Sequence, residues 1–171
     1  MPELRELTAD NVTFHQDALV DLLCDAVDSG ASIGFLPPIL RNEANSYWTS
    51  VAEAMRGGGR VLIVAFDASG ITGAVQLGLE LRANGSHRAE VMKLMVHRKA
   101  RGLGIGRALM TYVEVVARGL GRTLLVLDTR RGDVSEQLYC KLGYRKAGVI
   151  PRYARSASGE LDDTVFMYRE I

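Results

Sequence analysis

Apolar side chains recur along the chain with two periods, and the switches between them divide it into elements. Leu4-Arg5-Glu6-Leu7 reads as a short opening strand, followed by Thr8-Ala9-Asp10-Asn11 as a turn and cap. Leu19, Leu22, Leu23, Ala26 and Val27 share one face of a helix that stops near Ser29-Gly30. Residues 31–41 contain Pro37-Pro38, cannot be helical throughout, and read as a loop. Its Ile33, Phe35 and Leu36 want cover, either from the core or as the wall of an acceptor pocket. Tyr47, Trp48, Val51, Ala52 and Met55 mark a second helix, closed by Gly57-Gly58-Gly59.

Strands come next. Arg60 to Phe66 is an apolar run, Asp67-Ala68-Ser69-Gly70 a turn, and Ile71 to Leu81 alternates through Val75, Leu77, Leu79 and Leu81. Asn84-Gly85 signals a hairpin turn before the strand Arg88–Val96. Ile105, Leu109, Met110, Val113, Val116, Ala117 and Leu120 then return to helical spacing, up to the break at Gly119-Leu120-Gly121. Thr123 to Leu127 is apolar without alternation, which predicts a strand buried on both faces, as in a parallel pair. Residues 88–129 therefore form a strand–helix–strand unit with a right-handed crossover. A last helix runs from Ser135 to Leu142 and ends at Gly143, before a strand pair at Tyr144–Ile150 and Thr164–Glu170. No repeat or composition break divides the chain, so residues 1–171 read as one domain.

Composition narrows the classes. Hydrophobic residues at 47% and charged residues at 24% describe a soluble globular chain with a real core. A net charge of +1 gives no general reason to expect nucleic acid as a partner, and no apolar stretch approaches a membrane span. The start, Met1-Pro2-Glu3-Leu4-Arg5, lacks the apolar core of a signal peptide, so a cytoplasmic location is expected. Cys24 and Cys140 have no metal-type spacing and read as two reduced, partly buried thiols.

The chemistry concentrates between the strand Val91–Val96 and the helix beginning at Ile105. Arg101-Gly102-Leu103-Gly104-Ile105-Gly106-Arg107 sits where a strand turns into a helix, whose first amides lack partners and whose dipole is positive. Glycine admits a ligand close to that backbone, and Arg98, Lys99, Arg101 and Arg107 add charge, so this is a place to hold phosphate. It is no P-loop, which would end in Gly-Lys-Ser/Thr, and its G-x-G-x-G is not the dinucleotide fingerprint.

The remaining pattern, Arg-x-x-Gly-x-Gly from Arg101 to Gly106, resembles motif A of the Gcn5-related N-acetyltransferases (GNAT), which cradles the pyrophosphate of acetyl-CoA. Leu138-Tyr139-Cys140-Lys141-Leu142-Gly143-Tyr144 resembles the family's motif B, and the element order is similar over essentially the whole chain. The resemblance implies an α/β fold: a mixed, mostly antiparallel sheet with a central parallel β-α-β unit flanked by helices. It also implies acetyl-CoA as cosubstrate, held by Leu94, Met95, Val96, Arg101, Gly102, Leu103, Gly104, Ile105, Gly106, Arg107, Ser135, Tyr139 and Lys141. Around Lys93-Leu94-Met95-Val96 and Leu127-Asp128-Thr129 the sequence is similar to tabtoxin-resistance acetyltransferases, whose acceptor is an amino-acid-like toxin.

Acetyl transfer to an amine requires a neutral amine and a proton for the departing thiolate. An alkyl amine is neutral only about once in 10³ molecules at pH 7, so a base helps. The family places the tyrosine equivalent to Tyr139 near the coenzyme sulfur, which implies a general acid; otherwise Tyr139 packs a helix against the sheet. Glu90 stands eleven residues before Arg101, a spacing that resembles the base glutamate of GNAT histone acetyltransferases. Strand parity places it with Met92 and Leu94, unless a β-bulge intervenes; otherwise it is a solvated charge beside Arg88. Asp128 ends an apolar run at the carboxyl end of a strand, where ligands gather, and either serves the amine or caps the following turn. Many family members carry asparagine near that position.

Together these imply an N-acetyltransferase using direct transfer in a ternary complex. The expected acceptor is the primary amine of a small amino-acid-like metabolite, antibiotic or toxin, the last two linking the chain to antibiotic resistance. The alternatives are a protein amine and a non-catalytic acyl-CoA-binding module. No metal, nucleic acid or membrane is expected, and the chain is expected to be a monomer or homodimer.

Overall fold

The computed structural model describes residues 2–171. Seven strands form one sheet: β1 (Glu3–Leu7), β2 (Arg60–Asp67), β3 (Gly70–Leu79), β4 (Arg88–Val96), β5 (Leu124–Arg130), β6 (Arg145–Arg155) and β7 (Leu161–Glu170). Their order is β1-β2-β3-β4-β5-β7-β6, and only β4 and β5 run parallel. The helices are α1 (Ala9–Phe14), α2 (Gln16–Asp28), α3 (Arg41–Arg56), α4 (Ile105–Gly119) and α5 (Val134–Lys141). The expected fold class is therefore the observed one.

Two apolar clusters cover the two faces. Leu62, Val64 and Ala74 meet α2 and α3 on one side. Ile63, Val75, Leu77 and Leu125 meet α4 and α5 on the other. The strict alternation of neighbours between clusters is what period-two side-chain geometry requires. Trp48, fully buried, donates its indole N–H to the Leu19 carbonyl at 2.9 Å and so locks α3 onto α2.

Several expectations shift, among them the sixth strand, which runs Arg145–Arg155 and not Tyr144–Ile150. Thr8 caps as expected, but its reciprocal hydrogen bonds with Asn11 open a further short helix, α1, where only a turn was anticipated. The helix expected around Tyr47 begins earlier, at Arg41, and its N-terminus has no side-chain cap. Asn84-Gly85 forms no two-residue hairpin. It lies in a 3₁₀ turn, Ala83–Gly85, within a longer link where Glu80 accepts from Arg82 and Arg88. Finally β5 is not buried on both faces: Leu125 and Leu127 enter the α4 core, whereas Asp128 is open. The thiols divide too, with Cys24 half-buried and Cys140 exposed.

Candidate active site

Parallel pairing of β4 and β5 is brief. Arg88, Glu90 and the residue between them face Leu124 to Val126, and beyond that the strands part. The separation has a local cause. Lys93 has φ +54, and the β3–β4 register slips between Ala74 and Gln76, so β4 bulges there. Before the bulge Ala89 and Val91 face α4; after it Leu94 and Val96 do. Parity thus inverts at Lys93. Glu90 and Met92 share a face as expected, but Leu94 is turned to the other, and Met95 is buried in the α2–α3 core. Any contact of Met95 with a cosubstrate is through its backbone.

The parted strands open a cavity of about 570 Å³. Glu90, Lys93, Asp128, Thr129, Ser135 and Tyr139 line it, as does Ile33 from the α2–α3 loop. Phe35 and Leu36 line a smaller adjoining cavity of about 230 Å³. The loop residues therefore form wall as well as core: Ile33 and Phe35 also pack against the α2–α3 cluster. Residues distant in sequence meet here, and their electrostatics are coupled. Glu90 is open to the cavity yet flanked by protein, so desolvation raises its pKa, and the nearby Asp128 charge raises it further. Desolvation likewise raises Asp128, against the lowering effect of Lys93. Lys93 is pushed down by its own desolvation. Its ammonium donates to the Ile33 carbonyl and stands 5.5 Å from the Phe35 ring centroid, tying the loop to the bulge.

Tyr139, 6% exposed, sits on α5 at the edge of the opening. Burial drives its pKa well above the usual phenol value, with Asp128 and Asp133 adding to the effect. Its hydroxyl is thus a protonated donor at neutral pH. Thr129 Oγ1 and Ser135 Oγ lie 2.7 Å apart, fastening the start of α5 to β5. Lys141 is exposed in the last turn of α5, outside the lining of the cavity.

The glycine run leads into α4, where a Cβ on Gly106 would stand 4.0 Å from Cδ2 of Leu94, a residue of the cavity wall. Gly102 and Gly104 have φ +79 and +80, a left-handed geometry that glycine adopts without strain, and this geometry turns the chain into α4. Among the described residues, no acceptor meets the amides of Gly102 to Arg107. A Cβ on Gly104 would meet nothing within 4 Å, so the approach is clear. The expected basic cluster is smaller than its sequence suggests. Arg98 is committed to Asp25, and Arg101 to the Val96 carbonyl and Ser29. Lys99 and Arg107 form no ion pair among the described residues. Free amides, a helix dipole and two cations suit a pyrophosphate.

Three features escaped sequence reading. Lys93 was legible only as one polar residue in an apolar strand, Tyr47 as a core position of α3, and Arg60 as the start of a strand. All three line the cavity.

Known proteins share this architecture. Residues 57–146 match the model of the acetyltransferase (GNAT) domain. The chain is 33% identical over 124 residues to an uncharacterized N-acetyltransferase in the hisH-hisA intergenic region of Azospirillum brasilense, covering 71% of this chain and 72% of that one. The ribosomal-protein-alanine N-acetyltransferase of Brucella melitensis superposes with a TM-score of 0.80 at 22% identity, over 99% of each chain. A phosphinothricin acetyltransferase from Sinorhizobium meliloti, solved in complex with AcCoA, gives 0.79 at 21% identity, over 99% of this chain and 88% of that one. The chain belongs to the GNAT family and is an acyltransferase.

Proposed function

We propose that this single-domain protein transfers an acetyl group from acetyl-CoA to the primary amine of a small amino-acid-like acceptor. The observation that carries the reading is the meeting of Glu90, Asp128 and Tyr139 in one cavity, whose wall residue Leu94 lies beside Gly106 in the first turn of α4. Walls on several sides, including the α2–α3 loop and Ala154 of β6, favour a small acceptor over a peptide.

Acetyl-CoA, when bound, supplies the activated acetyl group and a thiolate leaving group. The amides of Gly102 to Arg107, with Lys99 and Arg107, hold its pyrophosphate. Val96 and the backbone of Met95 border the path toward the cavity. Glu90 accepts the proton that the acceptor's ammonium must lose, and its raised pKa brings it nearer to that task. Asp128 faces the ammonium as counter-charge. Tyr139 keeps its proton until sulfur needs it, then donates it. Every group acts directly, and the cavity brings no cysteine to the reacting atoms.

Release of free thiol from acetyl-CoA, measured across a panel of amines, tests this reading. Amino-acid-like amines are expected to release thiol at rates well above hydrolysis. Equal rates with and without every small amine, alongside turnover of peptide amines, would overturn it.

A further inference from the structure

The cavity holds a second polar feature that acetyl transfer to a plain amine does not use. Arg60 opens β2 and pairs with Gly78 of β3, which in turn pairs with Glu90 of β4. The three form a row across the sheet, all on the face that meets α2 and α3. Arg60 and Glu90 are two strand spacings apart, about 10 Å between Cα atoms. Gly78 leaves a side-chain gap between them, into which the thioether of Met92 leans: a Cβ on Gly78 would come within 2.8 Å of Met92 Cε.

The guanidinium is held without a counter-charge. Arg60 Nη1 donates to Gln76 Oε1 at 2.8 Å, and Gln76 Nε2 donates to Tyr47 Oη at 2.8 Å. Gln76 is fully buried and Tyr47 half-buried, so this bracket fixes the guanidinium from behind. Arg60 Nε is enclosed and has no partner, and Nη2 makes no hydrogen bond among the described residues. No carboxylate forms an ion pair with Arg60 among those residues. Carboxylates and cations in the same cavity are therefore not used up on one another. Lys93, the other cation, spends a donor on the Ile33 carbonyl, whereas Arg60, whose Nη1 also meets the Met92 Sδ at 2.5 Å, keeps Nη2 without a hydrogen bond among the described residues. A cation fixed in a cleft by neutral groups is a site for an anion.

Resting on the proposed transfer to an amine, we propose that Arg60 determines specificity: the acceptor carries an acid group, which Arg60 binds while the amine lies at Glu90 and Asp128. The acid is a carboxylate or an oxyanion of similar geometry, met by Nη2 of the guanidinium. Amine and acid belong to one molecule, whose chain crosses over the Met92 thioether that fills the gap at Gly78. Tyr47 and Gln76 are positioning residues that act through Arg60.

The test uses straight-chain ω-amino acids of increasing length, each paired with its ω-carboxamide, assayed by thiol release with the parent, Arg60→Met and Arg60→Lys. In the parent, the best-fitting acid is preferred over its amide by about tenfold or more in kcat/KM, the usual reach of a hydrogen-bonded charge. In Arg60→Met that preference collapses to about unity, mostly through KM, and Arg60→Lys keeps part of it. An unchanged KM for acetyl-CoA in both variants reports intact folding. A parent that turns over acid and amide alike, or an Arg60→Met protein that still discriminates, overturns the anchor while leaving the amine reading standing. If no pair is turned over, the amine reading fails, and calorimetric titration of the same pairs decides on Arg60 alone. Acid binding lost in Arg60→Met supports the anchor. Equal heats, or none in the parent, overturn it.

Discussion

At the scale of single residues, two carboxylates of like charge share a cavity, and their surroundings separate them. Glu90 is raised by desolvation and then by Asp128, whereas Asp128 has Lys93 to offset its own desolvation. A base must be ionised to act, so a raised pKa moves the rise of the rate–pH profile to higher pH. Glu90→Gln keeps the shape and removes the proton acceptor. It is expected to lower kcat near neutral pH on the order of 10²-fold, with partial recovery as alkali frees more amine. Asp128→Asn should instead raise the acceptor KM with a smaller effect on kcat. Superimposable pH profiles for the two variants, with equal losses in kcat, would show that the roles do not divide this way. Tyr139→Phe removes only a hydroxyl that burial keeps protonated. The expected result is a kcat lower on the order of 10²-fold with acetyl-CoA binding preserved, read by presteady-state turnover and calorimetry. Full turnover in that variant would assign Tyr139 to packing, against Tyr144 at 5.9 Å between ring centroids.

At the scale of elements, α5 matters because it carries Tyr139 and is only eight residues long. A helix that short depends on its attachments. Asp133 caps it, Ser135 fastens it to Thr129, and Glu136 binds Lys146 of β6 and the Gly132 amide. Lys146 and that amide hold the Glu136 carboxyl below its usual value of 4.5, against a smaller opposing effect of burial. Because the folded pKa is the lower one, the stabilisation is complete above the unfolded pKa and fades as pH falls through the folded value. Glu136→Gln should therefore cost about 1 kcal/mol at neutral pH, and the difference from the parent should vanish in acid below the depressed pKa. Denaturant titrations at neutral and acid pH check this. A penalty that stays constant across that range would mean the ion pair contributes nothing.

At the scale of the whole molecule, the phosphate site proposed at the start of α4 would couple a ligand to folding. A ligand bound only by the native state adds about 2.7 kcal/mol at 100 times its dissociation constant, so acetyl-CoA should raise the melting temperature measurably. Gly104→Val should remove that shift by two routes. It forces a β-branched residue into φ +80, and it places bulk in the open space where the phosphates are proposed to lie. The strain also lowers the melting temperature of the free protein, so the ligand-induced difference, not the absolute value, is the measurement. A parent that shows no shift at millimolar acetyl-CoA would contradict the cosubstrate assignment.

Local patterns along the chain determined much of this protein. Period-two and helical spacing located the strands and helices, because one face of each must be apolar whatever the rest of the chain does. The glycines at 102, 104 and 106, and Tyr139 at its place before Gly143, were legible as candidates because a glycine-led helix start and the family motifs are written in contiguous residues. What the tertiary structure alone decided is the cavity. Its shape depends on the bulge at Lys93, which inverts the facing of Leu94 and Met95, and a bulge leaves no mark in the apolar pattern of its own strand. Its charges come from β2, β4 and β5, brought to one stretch of the sheet only by strand order. Arg60 and Gln76 looked like ordinary strand residues, and Tyr47 like an ordinary helix face. Asp25 and Ser29 withdrew Arg98 and Arg101 from the basic cluster for the same reason: which charges are free is settled by what packs against them, not by what precedes them in the chain.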